Sequence, residues 1–264
     1  MSRPAAKFYF LSEGFDWIDA NGLQVPLIEE LTAGPIPEGS CILVEYDPAS
    51  QWYAASVTLA TGWLMNGGTV SYTVAGQSPE KVQAQFRRLG VDVDAFEKDF
   101  KLKIHDWHTC TLGFRPTERP ALGSLRIAEL NIFFTENMLA RPGGIISPFR
   151  DYLGILDDVS TLERFNDEKN WVEFVLTRYV PSAMLTKSVL FLGIIRGLHN
   201  KWVYRRLEAA ADGIIDFKLQ EISRETRNLL RIRSMRCAGY DSEWHELLIG
   251  NDLEVTFRKK PFRA

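Results

Sequence analysis

The chain has 264 residues, with 31 basic and 34 acidic side chains, a net charge of −3 and a pI of about 5.9. At 45% apolar and 25% charged it has a globular composition, and its length allows a sizeable buried core. The charge balance offers nucleic acid and membrane surfaces no particular attraction. Cys41, Cys110 and Cys237 are too few and too widely spaced for a disulfide framework or a zinc ribbon.

The cysteines are therefore expected to be buried thiols of a reducing compartment. The opening MSRPAAKFYFLSEG lacks the apolar stretch and cleavage site of a secretory signal. No apolar run reaches the roughly eighteen residues of a membrane span. A cytoplasmic protein is expected.

Residues 1–37 mix glycine, proline and short apolar pieces, an irregular start. Cys41–Tyr46 is a short apolar run that predicts a buried strand, and Asp47-Pro48 predicts a turn. A helix is expected from Ser50 to about Leu64, stopped by Gly67-Gly68, and a second strand over Thr69–Val74. Ser78-Pro79-Glu80 reads as the start of a helix, with Ser as N-cap, Pro in the first turn, and Val82, Phe86 and Leu89 on one stripe. Leu102–His105 predicts a strand and Leu125–Leu139 a helix.

Tyr152–Leu156 predicts a strand ending in Asp157-Asp158. A helix over Asn170–Tyr179, a strand over Ser188–Ile195 and a helix over Trp202–Ala211 follow. Gly213–Leu219 predicts a further strand, and Asn228–Met235 and Leu253–Arg258 read as closing antiparallel strands. Together these predict an α/β fold, a mostly parallel sheet with antiparallel C-terminal strands, in one domain over 1–264.

Ligands of α/β sheets bind where a strand ends and the next helix begins. The turn after Tyr46 is where a phosphate loop, G-x-x-x-x-G-K-[ST], would lie. Set on that pattern, Tyr46 and Gln51 take the glycine positions, Trp52 the lysine and Tyr53 the hydroxyl residue. Side chains at the glycine positions crowd backbone that should wrap phosphates. An indole in place of an ammonium removes charge-assisted hydrogen bonds worth roughly 1.5–3 kcal/mol each.

The run GSCILVEYDPASQWYAAS followed by GGTVSYTVAGQSPEKVQAQFRRLGVDV resembles the KaiC-like branch of the RecA superfamily of P-loop ATPases. Asp47-Pro48, Ser50, Ser78-Pro79-Glu80 and Leu89-Gly90 match the family pattern, as does the Walker-B-like Leu153–Ser160. Ala211–Ile215 is similar to its A-D-G-V-I strand and Ile232–Arg236 to its K-M-R strand. The resemblance runs from about Pro37 to Phe257 and implies a RecA-like three-layer α-β-α domain.

The departures are as informative. The family's paired glutamates, which prepare the attacking water, fall on Gly76 and Gln77, and its K-M-R lysine on Ser234, with Arg236 kept. Of the magnesium-binding set only Asp157 remains. Glutamine cannot take a proton from water. The resemblance thus implies a pseudo-ATPase without ATP or magnesium as cofactor.

Tyr46, Asp47, Ser50, Gln51, Trp52, Tyr53, Gln77, Asp157 and Asp158 are the candidate pocket residues. Trp52 and Tyr53 read either as an aromatic platform or as a plug for the vacated space. Asp157-Asp158 reads either as a ligand-holding edge or as a pair in which Asp157 caps the next turn or meets a basic residue. His105 and His108 read as surface histidines of a loop rather than as a metal pair, and His199 and His245 receive no role. Alternation puts Arg227, Arg231 and Arg233 on one strand face, a subunit or acidic-partner contact with Arg236, or a solvated edge.

The expected function is that of a regulatory or structural subunit acting through protein contacts, as a homo-oligomer or in a hetero-ring with an active ATPase. No membrane and no nucleic acid is expected as partner. Two alternatives are a small-ligand or nucleotide sensor using the altered pocket, and an ATPase with a rearranged site.

Overall fold

The computed structural model describes residues 18–19, 22–23, 27–117, 122–135, 152–222, 224–236 and 238–261. Cys237 and the end of the helix expected to reach Leu139 lie outside the described residues.

The core of the fold is set by strands apolar on both faces. In β1 (Cys41–Tyr46) every residue is buried. Ile42, Val44 and Tyr46 join one hydrophobic cluster, while Cys41 and Leu43 join a second. The strand over Val189–Ile195 divides the same way, with Phe191 in the first cluster and Leu190, Leu192 and Ile194 in the other. Such strands must be covered on both sides, which parallel pairing with crossover helices supplies.

Helix α1 (Trp52–Met65) and helix α2 (Pro79–Arg88) cover the first face. Helix α3 (Val93–Lys98) follows, capped by Asp92, whose carboxylate accepts from the Ala95 amide. Helices α4 (Ile127–Phe133) and α5 (Glu168–Phe174) cover the second face. Beyond α5 the chain runs through a π-helical segment, Val175–Tyr179, into α6 (Val180–Thr186). Helix α7 (Lys201–Ala210) completes this layer. The helix expected to stop at Tyr179 thus continues, although Pro181 sits in its path. A proline lacks the amide and crowds the preceding turn, and a π-turn relieves that conflict.

Apart from a short antiparallel pair, Ile18–Asp19 with Gly22–Leu23, the strands are β1, β2 (Thr69–Val74), β3 (Leu102–Asp106), β4 (Tyr152–Leu156), β5 (Val189–Ile195), β6 (Gly213–Ile222), β7 (Glu225–Met235), β8 (His245–Ile249) and β9 (Val255–Pro261). Their spatial order in one nine-stranded sheet is β9-β8-β7-β6-β1-β5-β4-β2-β3. Strands β6 through β3 in that order are parallel, and β6 to β9 pair antiparallel. Strand β8 and helix α3 were not expected from the sequence. HELLI and VDAFEK are short, and neither carries a clean period. No helix is long and apolar enough to cross a membrane among the described residues.

The β6–β7 register shifts between Ile214, opposite Ser234, and Ile215, opposite Ile232. Arg233 is the extra residue of that bulge. Arg233 meets the same carboxylate as Arg231: Asp216 lies 2.8 Å from Arg231 Nε and 3.4 Å from Arg233 Nε. Arg233 also pairs with Glu45 and, at 2.8 Å, with Glu208 of α7. The arginine face is thus turned largely onto acids of its own chain. Arg227 pairs with Glu225 and Glu246, and Arg236 donates to the carbonyls of Glu208 and Ala209 at the end of α7.

Candidate functional site

The carboxyl ends of the parallel strands bring the β1–α1 turn, the start of α2 and the turn after β4 together. In the β1–α1 turn the Ser50 amide donates to the Asp47 carbonyl at 2.8 Å, and Gln51 occupies the N-cap without a side-chain cap bond. Asp47 accepts from the Leu219 amide at 3.1 Å and faces Arg196 at 3.4 Å. The Arg196 amide in turn donates to the Tyr46 carbonyl at 2.8 Å. Asp47 is therefore a brace between β1, β6 and the segment after β5. Arg196, which also meets Asp216 at 2.7 Å, is a site residue that sequence patterning gave no means of finding.

Trp52 enters the core at the first turn of α1 and is fully buried. Its indole packs edge-on against Phe217 at 5.4 Å and tilts against Tyr46 at 6.3 Å. Its Nε1 donates to the Asp157 carbonyl at 2.7 Å. Space for it comes from Gly193 of β5, where a Cβ would lie 2.2 Å from the Asp157 carbonyl oxygen and 2.5 Å from the indole nitrogen. Trp52 thus points its N–H donor at backbone.

Tyr53 stands edge-on to Tyr46 at 5.6 Å, and their hydroxyls lie 3.0 Å apart. The Tyr53 ring covers Gly76, where a Cβ would come within 2.1 Å of the phenol oxygen. The phenol thus uses the space that a side chain at position 76 would need. Burial, with Asp158 next in effect, pushes both phenols above the usual tyrosine range, so they stay neutral. Gln77 is half-buried, and the Ser50 hydroxyl is buried without a partner among the described residues.

Asp157 is fully buried. Its Oδ1 accepts from the amides of Ala75, at 2.7 Å, and Gly76, at 3.0 Å, while Oδ2 is buried without a hydrogen-bond partner among the described residues. Burial pushes its pKa up to about 8, against the pull of those two amides. The turn is capped not by Asp157 but by Asp158, whose Oδ1 accepts from the Ser160 amide at 2.9 Å and whose Oδ2 accepts from Thr161 at 3.2 Å. Asp157 instead pins the end of β2 beside β4.

A cavity of about 400 Å³ opens next to this edge, lined by Gly76, His108, Asp158, Thr161, Glu163 and Leu198, among others. The two histidines expected on one surface loop separate. His105 is buried on β3, and burial pushes its pKa down to about 3. Only His108 reaches the cavity.

Residues 23–260 match the family described as the KaiC ATPase. No curated protein matches significantly. Among solved structures, a KaiC-like protein from the hyperthermophilic archaeon Pyrococcus horikoshii OT3 is similar at a TM-score of 0.62 and 17% identity, covering 89% of this chain and 96% of that one. At that identity the likeness carries the fold alone, a RecA-like α/β sheet, while the family match spans most of the sequence. The chain belongs to the KaiC ATPase family.

Proposed function

We propose that this protein is a non-catalytic member of its family, a pseudo-ATPase that acts through contacts with other proteins and takes neither ATP nor magnesium. The observation that carries the reading is Trp52. Its ring fills the space beneath the β1–α1 turn and spends its donor on the Asp157 carbonyl. Around it stand two neutral phenols, an amide and a carboxyl that burial favours in its neutral form. None of these replaces an ammonium facing a polyphosphate.

Protein contact is supported by large apolar side chains left at the surface. On α6, Met184 and Leu185 are 74% and 68% exposed, and Ile132 on α4 is 57% exposed. The arginine strand supports it less, since Arg231 and Arg233 are already satisfied by Glu45, Asp216 and Glu208.

The test is the mass of the native assembly, alone and after capture from its source. The expected result is a stable homo-oligomer, or a stoichiometric complex with a second protein, that weakens when Met184 and Leu185 are both changed to Ser. A strictly monomeric protein that captures nothing counts against it. A second reading, a small-ligand sensor, is favoured by the cavity beside Asp158 rather than by the filled loop. A metabolite that raises the melting temperature, with the rise lost in Thr161→Val, would favour that reading.

A further inference from the structure

Three residues from separate segments meet at the rim of the second helical layer. Glu163 comes from the 3-10 turn Val159–Arg164 after β4, Glu168 from the first turn of α5, and His199 from the segment between β5 and α7. One donor atom from each lies within 4.8 Å of the others. His199 Nδ1 is 3.1 Å from Glu163 Oε2 and 3.8 Å from Glu168 Oε1.

The imidazole is unusual in its surroundings. Its side chain is fully buried, yet neither ring nitrogen has a hydrogen-bond partner among the described residues. The close Glu163 oxygen is not aligned to supply one. A buried polar group without a partner destabilises the fold unless something binds it. Trp171, with ring centroids 5.2 Å away, and Tyr204, at 6.1 Å, flank the ring. Glu168 is also anchored, accepting from the Asn200 amide at 3.0 Å and from its side chain at 2.6 Å.

We propose that Glu163, Glu168 and His199 form a site for a first-row divalent transition ion, of which zinc fits best. Ligand atoms about 2.0–2.1 Å from a tetrahedral zinc stand roughly 3.3 Å from one another, close to the separations seen here. Imidazole with carboxylate is a donor set of zinc, iron and manganese rather than of calcium, which takes oxygen alone. An ion would use the lone pair that Nδ1 leaves idle in the tautomer protonated at Nε2.

Three protein ligands leave a coordination position open to water or an anion. Glu163 also lines the cavity beside Asp158, so the ion would stand at the edge of that cavity. It would tie the turn after β4 to the turn after β5. The site does not depend on whether the β1–α1 turn accepts nucleotide, because no residue is shared.

The test is metal uptake by the tag-free chain. After dialysis against a chelator, zinc is titrated in by calorimetry, and cobalt is added as an optical probe. The expected result is about one ion per chain, with cobalt giving the visible absorption of a low-coordinate nitrogen–oxygen site. Glu163→Gln and Glu168→Gln should each weaken uptake about tenfold or more. His199→Asn should remove the cobalt band. Because that variant alters a buried residue, Glu163→Gln is the safer arm: its side chain is 40% exposed, and its unfolding in chelator should match the parent. No uptake of zinc, cobalt or manganese at millimolar concentration overturns the proposal. So does uptake that both glutamine variants leave unchanged.

Discussion

Trp52→Ala is expected to lower the unfolding free energy by about 3–5 kcal/mol, read as a fall in the urea midpoint at unchanged slope. The indole is fully buried between Tyr46, Phe217 and Gly193, so its removal opens a cavity that the surrounding strands cannot collapse to fill. It also leaves the Asp157 carbonyl without its 2.7 Å donor. Trp52→Lys should be at least as damaging, since it puts an ammonium into the same apolar space. A loss below about 1 kcal/mol for the alanine variant would mean that the ring is replaceable, contrary to a filled phosphate loop.

Asp157→Asn should remove a pH dependence. The carboxyl has an ordinary value of 3.8, and burial raises it to about 8 in the folded state. Between those values the native state holds a proton that the unfolded chain has released. Stability from this group is therefore fully present below pH 3.8 and is lost as pH rises toward 8, by at most about 1.4 kcal/mol per pH unit. Asparagine keeps an oxygen for the amides of Ala75 and Gly76 and has no charge to bury.

From pH 5 to 8 the variant should gain on the parent by up to about 4 kcal/mol, measured from urea unfolding at each pH. Glu45, which burial raises to about 7 against the opposing pull of Arg233, titrates in both proteins and drops out of the difference. A constant gap would show that Asp157 is ionised throughout, its charge held by the two amides. That outcome would return it to the list of possible cation ligands.

The parallel core was legible because its strands are continuous apolar runs. CILVEY, YLGIL and VLFLGII could be placed from composition alone. The start of α1 at the turn after β1 was also legible, and with it the positions of Trp52 and Tyr53. What could not be read were relations between segments. Alternation put Arg231 and Arg233 on one face, but one strand's pattern cannot show that this face meets Glu45 and Asp216 of neighbouring strands.

Gly76 and Gly193 are similar cases. Each is meaningful only against the ring that fills its missing side chain, Tyr53 for one and Trp52 for the other. The roles of Asp157 and Asp158 depend on a one-residue difference in direction. The first turns back to β2 and the second forward into the next turn. His199 was unreadable because its two carboxylate neighbours lie 31 and 36 residues away in sequence, on another crossover.

The most direct measurement is calorimetric titration of the purified chain with Mg·ATP, with Mg·ADP alongside. No heat of binding and no rise in melting temperature are expected at millimolar nucleotide. Saturable binding that Asp157→Ala abolishes while Trp52 stays in place would contradict the inactive-scaffold reading, and steady phosphate release would do so more forcefully.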